Sequence, residues 1–238
     1  MKKIISTYFL YALICTLTFG LSSIYAQNDP DLEGWSAVEI DLKATKKLSF
    51  SIAEHLRLRN DIKTVKNYFT QLKVNYEVLK NFELGGGVRY ITKNDDVGGK
   101  QGLDPYFRYQ FDASYRTKIE KIGLFLRLRY QNKNQLGLSE EEGDIAQEFI
   151  RSRLGIGYRI KPLKLNLRLF AELFNQPSNS KIEDKETRYR YTLKLSRKFK
   201  KIGTFTVFYG LQENEVAQSK TKKSFLGFKY AYRIDLTK

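Results

Sequence analysis

Arginine residues at alternating positions are the part of this 238-residue chain that could do chemistry. In GLFLRLRY, residues 123–130, Arg127 and Arg129 alternate with leucines, and Arg151 and Arg153 are spaced in the same way. A guanidinium group presents a planar fork of donors that suits carboxylate and phosphate, and rings of arginine make pores favour anions. The candidates for contact with an anion are Arg57, Arg108, Arg127, Arg129, Arg151, Arg153 and Arg168.

His55 is the single histidine of the chain and the only candidate for nucleophilic catalysis. Lipid-modifying enzymes of the outer membrane pair a histidine with serine and an orienting acid or amide. Ser49 and Ser51 share the strand face of His55, and Asp41 or Glu39 could be the acid on a neighbouring strand. Such an enzyme must present its site to lipid, whereas His55 lies on the same face of its strand as the arginines, which would point into a barrel. We therefore assign no catalytic residue and keep the enzyme as a hypothesis.

The remaining motifs indicate neither a cofactor nor a metal site. Cys15 is the only cysteine and lies in the N-terminal apolar run, which excludes disulfides and thiol-bound metal from a processed chain. The triple glycine 85–87 lacks the Lys and Ser/Thr of a phosphate loop and indicates a close approach within a strand. The acidic loop 140–144 lacks the spacing of a calcium loop. Gly155 and Gly157 are expected to make room for large neighbouring side chains.

The N-terminus has the architecture of a secretory signal peptide. Residues 1–26 begin with two lysines, continue with a mostly apolar run over 4–21 and end in small residues. We predict cleavage between Ala26 and Gln27 and a single domain over 27–238. An N-terminal membrane anchor is the alternative, but no charged stop-transfer segment follows the run.

Period-2 alternation dominates the rest of the chain and indicates β-strands. Eleven segments, most of them about ten residues long, fit this pattern. They are 38–42, 48–59, 68–78, 82–92, 106–117, 123–132, 146–160, 163–174, 188–197, 204–212 and 224–236.

Short and long connections alternate along the chain. The short connections lie near 45 and at 79–81, 118–121, 161–162 and 199–201. The long polar connections are 93–104, 133–145, 175–187 and 213–223, with 60–66 of intermediate length. This alternation is typical of an outer-membrane barrel, with turns on the periplasmic side and loops outside.

The two faces of each strand differ in chemistry. Leu124, Leu126 and Leu128 share one face, whereas Arg127 and Arg129 share the other. In a soluble sandwich the leucines would form the core, but in a membrane barrel they would face lipid. Tyrosines near the strand ends, strands of crossing length and the export signal favour lipid.

We therefore predict an all-β fold, an antiparallel transmembrane β-barrel of 10–12 strands with short periplasmic turns and longer extracellular loops. Single-chain bacterial barrels have even strand counts, which favours ten or twelve. Glu54 falls on the lipid-facing parity, and a bulge there or a place near the membrane rim would accommodate it.

Four stretches resemble a family of Bacteroidota outer-membrane proteins classified as domain of unknown function 2490. They are GWSAVEIDLKATKKLSFSIAEHLRLR, LKNFELGGGVRYI, RLGIGYRI and FLGFKYAYRIDL. The resemblance implies an outer-membrane β-barrel and no known activity. The last stretch also resembles the signal for the barrel-assembly machinery, through Gly227, Tyr230 and Tyr232, although Lys238 replaces the usual terminal aromatic.

The net charge of +16 suggests an anionic partner. Because the basic residues are spread over every strand, we expect no nucleic-acid partner. Outer-membrane lipid, a small anionic solute and the assembly machinery are the expected partners. Three functions stay open: a narrow anion-preferring porin, a structural or interaction barrel with a plugged lumen, and the enzyme at His55.

Overall fold

The alternating segments fold into eleven strands. The computed structural model describes residues 31–96, 101–139, 141–177, 184–217 and 219–237, so the predicted signal peptide lies outside the described residues. The strands are β1 Asp31–Lys43, β2 Leu48–Arg59, β3 Thr64–Leu79, β4 Phe82–Asp95, β5 Gly102–Ile119, β6 Ile122–Gln135, β7 Gln147–Ile160, β8 Leu165–Asn175, β9 Glu186–Phe199, β10 Gly203–Val216 and β11 Ser219–Asp235. Nowhere in these ranges does a helix reach the length and apolarity needed to cross a membrane.

The strands form a closed barrel, which confirms the predicted all-β barrel of 10–12 strands. Consecutive strands pair antiparallel, and β1 closes the barrel by pairing with β11 in parallel, from Asp31↔Lys223 to Lys43↔Asp235. The expectation of an even count is wrong, since the barrel has eleven strands. Strands that alternate in direction bring the first and the eleventh together in the same direction, which is why β1 and β11 pair in parallel. All eleven segments found in the sequence are strands of the barrel.

Opposite charges connect the two strands of this seam inside the barrel. Lys223 Nζ lies 3.0 Å from Glu33 Oε1, and Lys229 Nζ lies 2.5 Å from Glu39 Oε1. A third acid of β1 pairs in the same way, since Asp41 lies 3.4 Å from a base of β11. Complementary charge across neighbouring strands favours their pairing, so β1 carries the acids and β11 carries the bases.

The connections fall into two sets at opposite ends of the barrel. The end with residues 44–47, 80–81, 120–121, 161–164 and 200–202 is called the short-turn end here. The other end, with the described residues 60–63, 96, 101, 136–139, 141–146, 176–177, 184–185 and 217, is called the loop end.

The strands continue further toward the loop end than the sequence predicts. Residues 213–223, predicted as a long loop, are almost entirely the paired ends of β10 and β11. Lys220 and Lys222 of β11 pair with Glu215 and Glu213 of β10 there. A polar strand end of this kind has the composition of a loop, which is why the alternation did not reveal it.

The two faces of the barrel separate as predicted. Leu126, Leu128 and Leu154 point outward and are exposed, Leu128 by 59 % and Leu154 by 56 %. Glu54 also lies exposed on the outer face, and the ladder is regular on both sides of it. The expected bulge at Glu54 is wrong, since the register shift of β2 falls between Arg57 and Leu58.

Candidate functional site in the barrel lumen

All seven candidate arginines contribute to the interior, where they divide into two groups. Arg57, Arg108 and Arg151 lie in a layer that contains most of the inward aromatic rings. Arg127, Arg129, Arg153 and Arg168 line a cavity closer to the short-turn end. Lys164 lies outside the strands, in the turn before β8, where its φ of 54° is left-handed.

Aromatic rings serve as partners for guanidinium groups in the first layer. The Cζ atom of Arg57 lies 4.1 Å from the centroid of the Trp35 ring, and that of Arg151 lies 4.0 Å from Phe174. Trp35 in turn stacks on Phe225, with ring centroids 4.0 Å apart. A cation over an aromatic face is attracted by the ring quadrupole, most strongly where water is excluded.

Two arginines outside the candidate set complete this layer. Arg89 lies over Phe69 at 4.4 Å, and Arg190 lies over Phe174 at 4.6 Å. The sequence already placed both on the inward parity, but nothing in the alternation distinguishes an arginine that stacks on a ring from one that faces water. The layer is called the plug below; it consists of Trp35, Phe69, Phe174 and Phe225 with Arg57, Arg89, Arg108, Arg151 and Arg190.

Amides rather than carboxylates satisfy several of these arginines. Arg108 Nη2 donates to Gln110 Oε1 at 2.6 Å, and Arg190 Nε donates to Gln212 Oε1 at 2.8 Å. Arg89 donates to Gln71 in the same way. A glutamine accepts the hydrogen bond without neutralising the charge, so positive charge remains in the interior.

Side chains fill the barrel at the level of the plug. Every strand except β4 contributes at least one inward side chain that is less than about 10 % exposed. Phe225 and Gln71 are each 1 % exposed, which means that water reaches neither from either end. Side chains that fill a lumen are expected in a narrow barrel.

Two carboxylates neutralise arginines below the plug. Glu172 accepts hydrogen bonds from Arg127, Arg151 and Arg153 at 2.6, 2.8 and 2.7 Å. Asp112 accepts two from Arg129. The two acids offset arginines that oppose one another across a ladder, in the pairs Arg127↔Arg153 and Arg129↔Arg151. A third such pair, Arg89↔Arg108, donates to glutamines instead. Like charges placed directly opposite are destabilising unless something compensates them.

A cavity of about 560 Å³ lies between this acidic layer and the short-turn end; it is called the cup below. Its mouth includes Thr45, Lys46 and Lys47 of the β1–β2 turn, and Arg127 and Arg153 lie deeper inside. The full lining is Glu39, Asp41, Lys43, Thr45, Lys46, Lys47, Leu48, Ser49, Ser51, Lys73, Asn75, Glu77, Glu83, Asp112, Ser114, Arg116, Phe125, Leu126, Arg127, Arg129, Arg153, Arg168, Phe170 and Arg233.

Glycines make room for the large inward side chains. A Cβ atom on Gly155 would lie 2.4 Å from the Phe170 ring, and one on Gly157 would lie 3.0 Å from Phe125, as the sequence predicted. Gly227 of the predicted assembly signal has the same role, because its Cβ would lie 2.1 Å from Phe208. The expected close approach in 85–87 is present at Gly87, where a Cβ would meet the backbone oxygen of Leu72 at 2.8 Å.

The groups suggested around His55 are not brought together. His55 stacks on Phe69 with ring centroids 4.3 Å apart. Ser51 lies four residues along the same strand, about 13 Å away at about 3.3 Å per residue, and Ser49 lies beyond it. Asp41 and Glu39 pair with bases of β11.

The acidic loop offers no cation site among the residues that the structure describes. In those ranges no three His, Cys, Asp or Glu residues come together as a metal site, and Glu140 falls outside the ranges. Glu142 accepts a hydrogen bond from the backbone N–H of Ser139 at 2.7 Å, and this bond lowers the pKa of the Glu142 carboxyl.

Comparison with known proteins identifies the family of this chain but indicates no activity. No curated protein matches this sequence. The family model described as "Protein of unknown function (DUF2490)" matches residues 32–223, from the start of β1 into β11. The chain therefore belongs to the DUF2490 family of proteins of unknown function.

Proposed function

We propose that this chain is an outer-membrane β-barrel with a closed lumen, which acts as a structural or interaction protein and does not conduct solutes. Its outer face supports a place in lipid. On β7 the outward apolar set runs from Ile150 to Ile160, which is about 33 Å along the strand at about 3.3 Å per residue. At a tilt of about 40° it would cover about 25 Å, the height of the apolar band of outer-membrane barrels. An apolar surface of this size would make a soluble monomer aggregate.

The outer membrane is the compartment that fits this surface. A cleavable signal peptide over 1–26 would export the chain, and Gly227, Tyr230 and Tyr232 would present the assembly signal on β11. The short-turn end would then face the periplasm. The loop end would face the outside, where it could contact a partner.

The filled cross-section at the plug is the observation that carries the closed lumen. Trp35 and Phe225 stack on each other, and Arg57 and Arg190 lie over the rings. An ion would have to displace both the rings and the guanidinium groups to pass this level. We therefore expect binding at the outer loops or in the cup, and no steady flow between the two ends.

Conductance in planar lipid bilayers tests this proposal. Wild-type protein should insert without opening channels. The double variant Trp35→Ala/Phe225→Ala removes the stacked rings and should give steady currents with anion preference, because the arginines of the plug remain. Val38→Ala/Phe228→Ala truncates outward side chains of the same two strands and should be silent. A truncated plug that stays silent would contradict the plug as the barrier.

A narrow anion-preferring channel is the second candidate function, favoured by the arginines that only amides satisfy. Its arginines would be Arg57, Arg108, Arg127, Arg129, Arg151, Arg153 and Arg168. Steady, anion-selective currents from the wild-type protein would support this candidate and overturn the closed lumen.

A further inference from the structure

The cup has an excess of basic side chains for its size. Ten basic and five acidic side chains line it. The bases are Lys43, Lys46, Lys47, Lys73, Arg116, Arg127, Arg129, Arg153, Arg168 and Arg233, and the acids are Glu39, Asp41, Glu77, Glu83 and Asp112. Glu172 behind the lining adds a sixth acid, since it pairs with Arg127 and Arg153, so four positive charges would remain even with every acid paired within the cup. A concave surface with one sign of charge concentrates the oppositely charged ligand.

Arg168 is the guanidinium of the cup that has no carboxylate partner within the described part of the chain. Its Cγ atom packs against Gly157, and its Cζ atom lies 5.0 Å from the centroid of the Phe125 ring. The residue is exposed to the cup, so its donors are available to a ligand.

Two further arginines of the cup are only partly neutralised. Arg127 and Arg153 oppose each other across β6 and β7 and share the single carboxylate of Glu172. The Nε atom of each is buried and has no hydrogen-bond partner among the residues that the structure describes. Like charges placed opposite each other are destabilising, and an added anion in the cup would offset the repulsion between these two guanidinium groups.

An aromatic pair lies between these charges. Phe125 and Phe170 have ring centroids 5.8 Å apart, with Arg168 over the first ring and Arg153 at 5.4 Å over the second. The cup thus combines guanidinium forks with a small apolar surface. Planar forks bind phosphate and carboxylate by paired hydrogen bonds to two oxygens of the same group, a geometry that a single spherical chloride ion does not offer.

We propose that the cup is a binding site for a small soluble molecule with two or more negative charges, of the organic phosphate or polycarboxylate class. Its volume of about 560 Å³ is within the usual range for small-molecule sites. The strands separate the cup from the outer face, and its mouth lies at the short-turn end. The ligand therefore enters from the solution at that end, which is the periplasm if the barrel lies in the outer membrane.

Titration calorimetry with pyrophosphate tests the proposal on the folded chain in maltoside detergent at low salt, where no lipid phosphate is present. Wild-type protein should bind pyrophosphate saturably, and chloride at the same ionic strength should not replace it. Arg168→Gln should raise the Kd by about tenfold or more, the effect of losing one charged hydrogen bond. Arg168→Lys should restore part of the affinity.

Arg159→Gln is the matched control, because Arg159 is an exposed base of β7 near the same end that does not line the cup. It should change the Kd by less than about twofold, because the Arg159 side chain does not line the cup although β7 pairs with the strand of Arg168. The proposal fails if the wild-type protein gives no saturable heat, or if Arg159→Gln weakens binding as much as Arg168→Gln. The second result would mean that net charge rather than the cup attracts the anion.

Discussion

Glu172 is the acid on which the interior of the barrel depends most. It is 4 % exposed and pairs with Arg127, Arg151 and Arg153 at 2.6, 2.8 and 2.7 Å. Glu172→Gln keeps the shape of the side chain and one acceptor oxygen but removes the charge that offsets three guanidinium groups. Breaking a buried ion pair by removing one partner costs about 3–5 kcal/mol. We expect a loss of free energy of unfolding in this range, which shifts the folding equilibrium by a factor of about a hundred or more.

Reversible urea unfolding in lipid vesicles, followed by Trp35 fluorescence, measures the loss. Glu83→Gln is the matched control, because Glu83 accepts two hydrogen bonds from Arg116 at 2.7 and 2.8 Å. The side chain of Arg116 is 56 % exposed, and exposed pairs contribute less than about 1 kcal/mol. Equal losses for Glu172→Gln and Glu83→Gln would refute the argument that burial of the three arginines sets the magnitude.

Two more predictions concern the packing and the direction of the chain. Gly227→Ala would place a Cβ atom 2.1 Å from the Phe208 ring and should cost about 1–3 kcal/mol of unfolding free energy. Gly86→Ala, whose Cβ meets nothing nearer than 3.9 Å, should be nearly neutral in the same urea titration. Because β1 begins at the loop end, a thiol reagent that does not cross the membrane should label Asp31→Cys and Gly137→Cys from one side and Lys46→Cys from the other. Labelling of Asp31→Cys together with Lys46→Cys would contradict the direction of β1.

The faces of the strands could be predicted from the sequence because side-chain parity is a local property. Leu126, Arg127 and Leu128 take the sides that their alternation indicates, without knowledge of the other strands. The place of Gly155 could be predicted for the same reason. Local alternation also identified the strands themselves, apart from their polar ends.

The closure of the barrel could not be predicted from local pattern. It joins β1 to β11, and only the complementary charges of the two strands carry a signal of that pairing, as in the pair of Glu39 with Lys229. A rule about even strand counts could not replace that signal. Glu54 shows the same limit, since its outward position follows from a regular register and no local motif explains it.

A plugged lumen was one of the alternatives from the sequence, but the aromatic rings of the plug were not predicted. Trp35, Phe69 and Phe225 are inward aromatics in a pattern where inward residues are mostly polar, and that exception was available in the sequence. Their stacking on arginines depends on residues from distant strands meeting in the middle of the barrel. The arginines alone therefore suggested a pore lining, whereas their ring partners indicate a filled interior.

The parallel pairing of β1 with β11 is the feature on which the filled lumen depends most directly, because Trp35 of the plug lies on β1 and reaches Phe225 of β11 across this seam. Ser36 and Phe228 are partners across the seam, on its outer face. Neighbouring strands lie about 4.8 Å apart, within the Cα separation that a disulfide bridges. We predict that Ser36→Cys/Phe228→Cys forms an intramolecular disulfide in the folded protein, whereas Ser36→Cys/Phe205→Cys, with its second cysteine on β10, does not. A folded barrel that forms no Ser36→Cys/Phe228→Cys disulfide would contradict closure by β1 and β11, and with it the filled lumen.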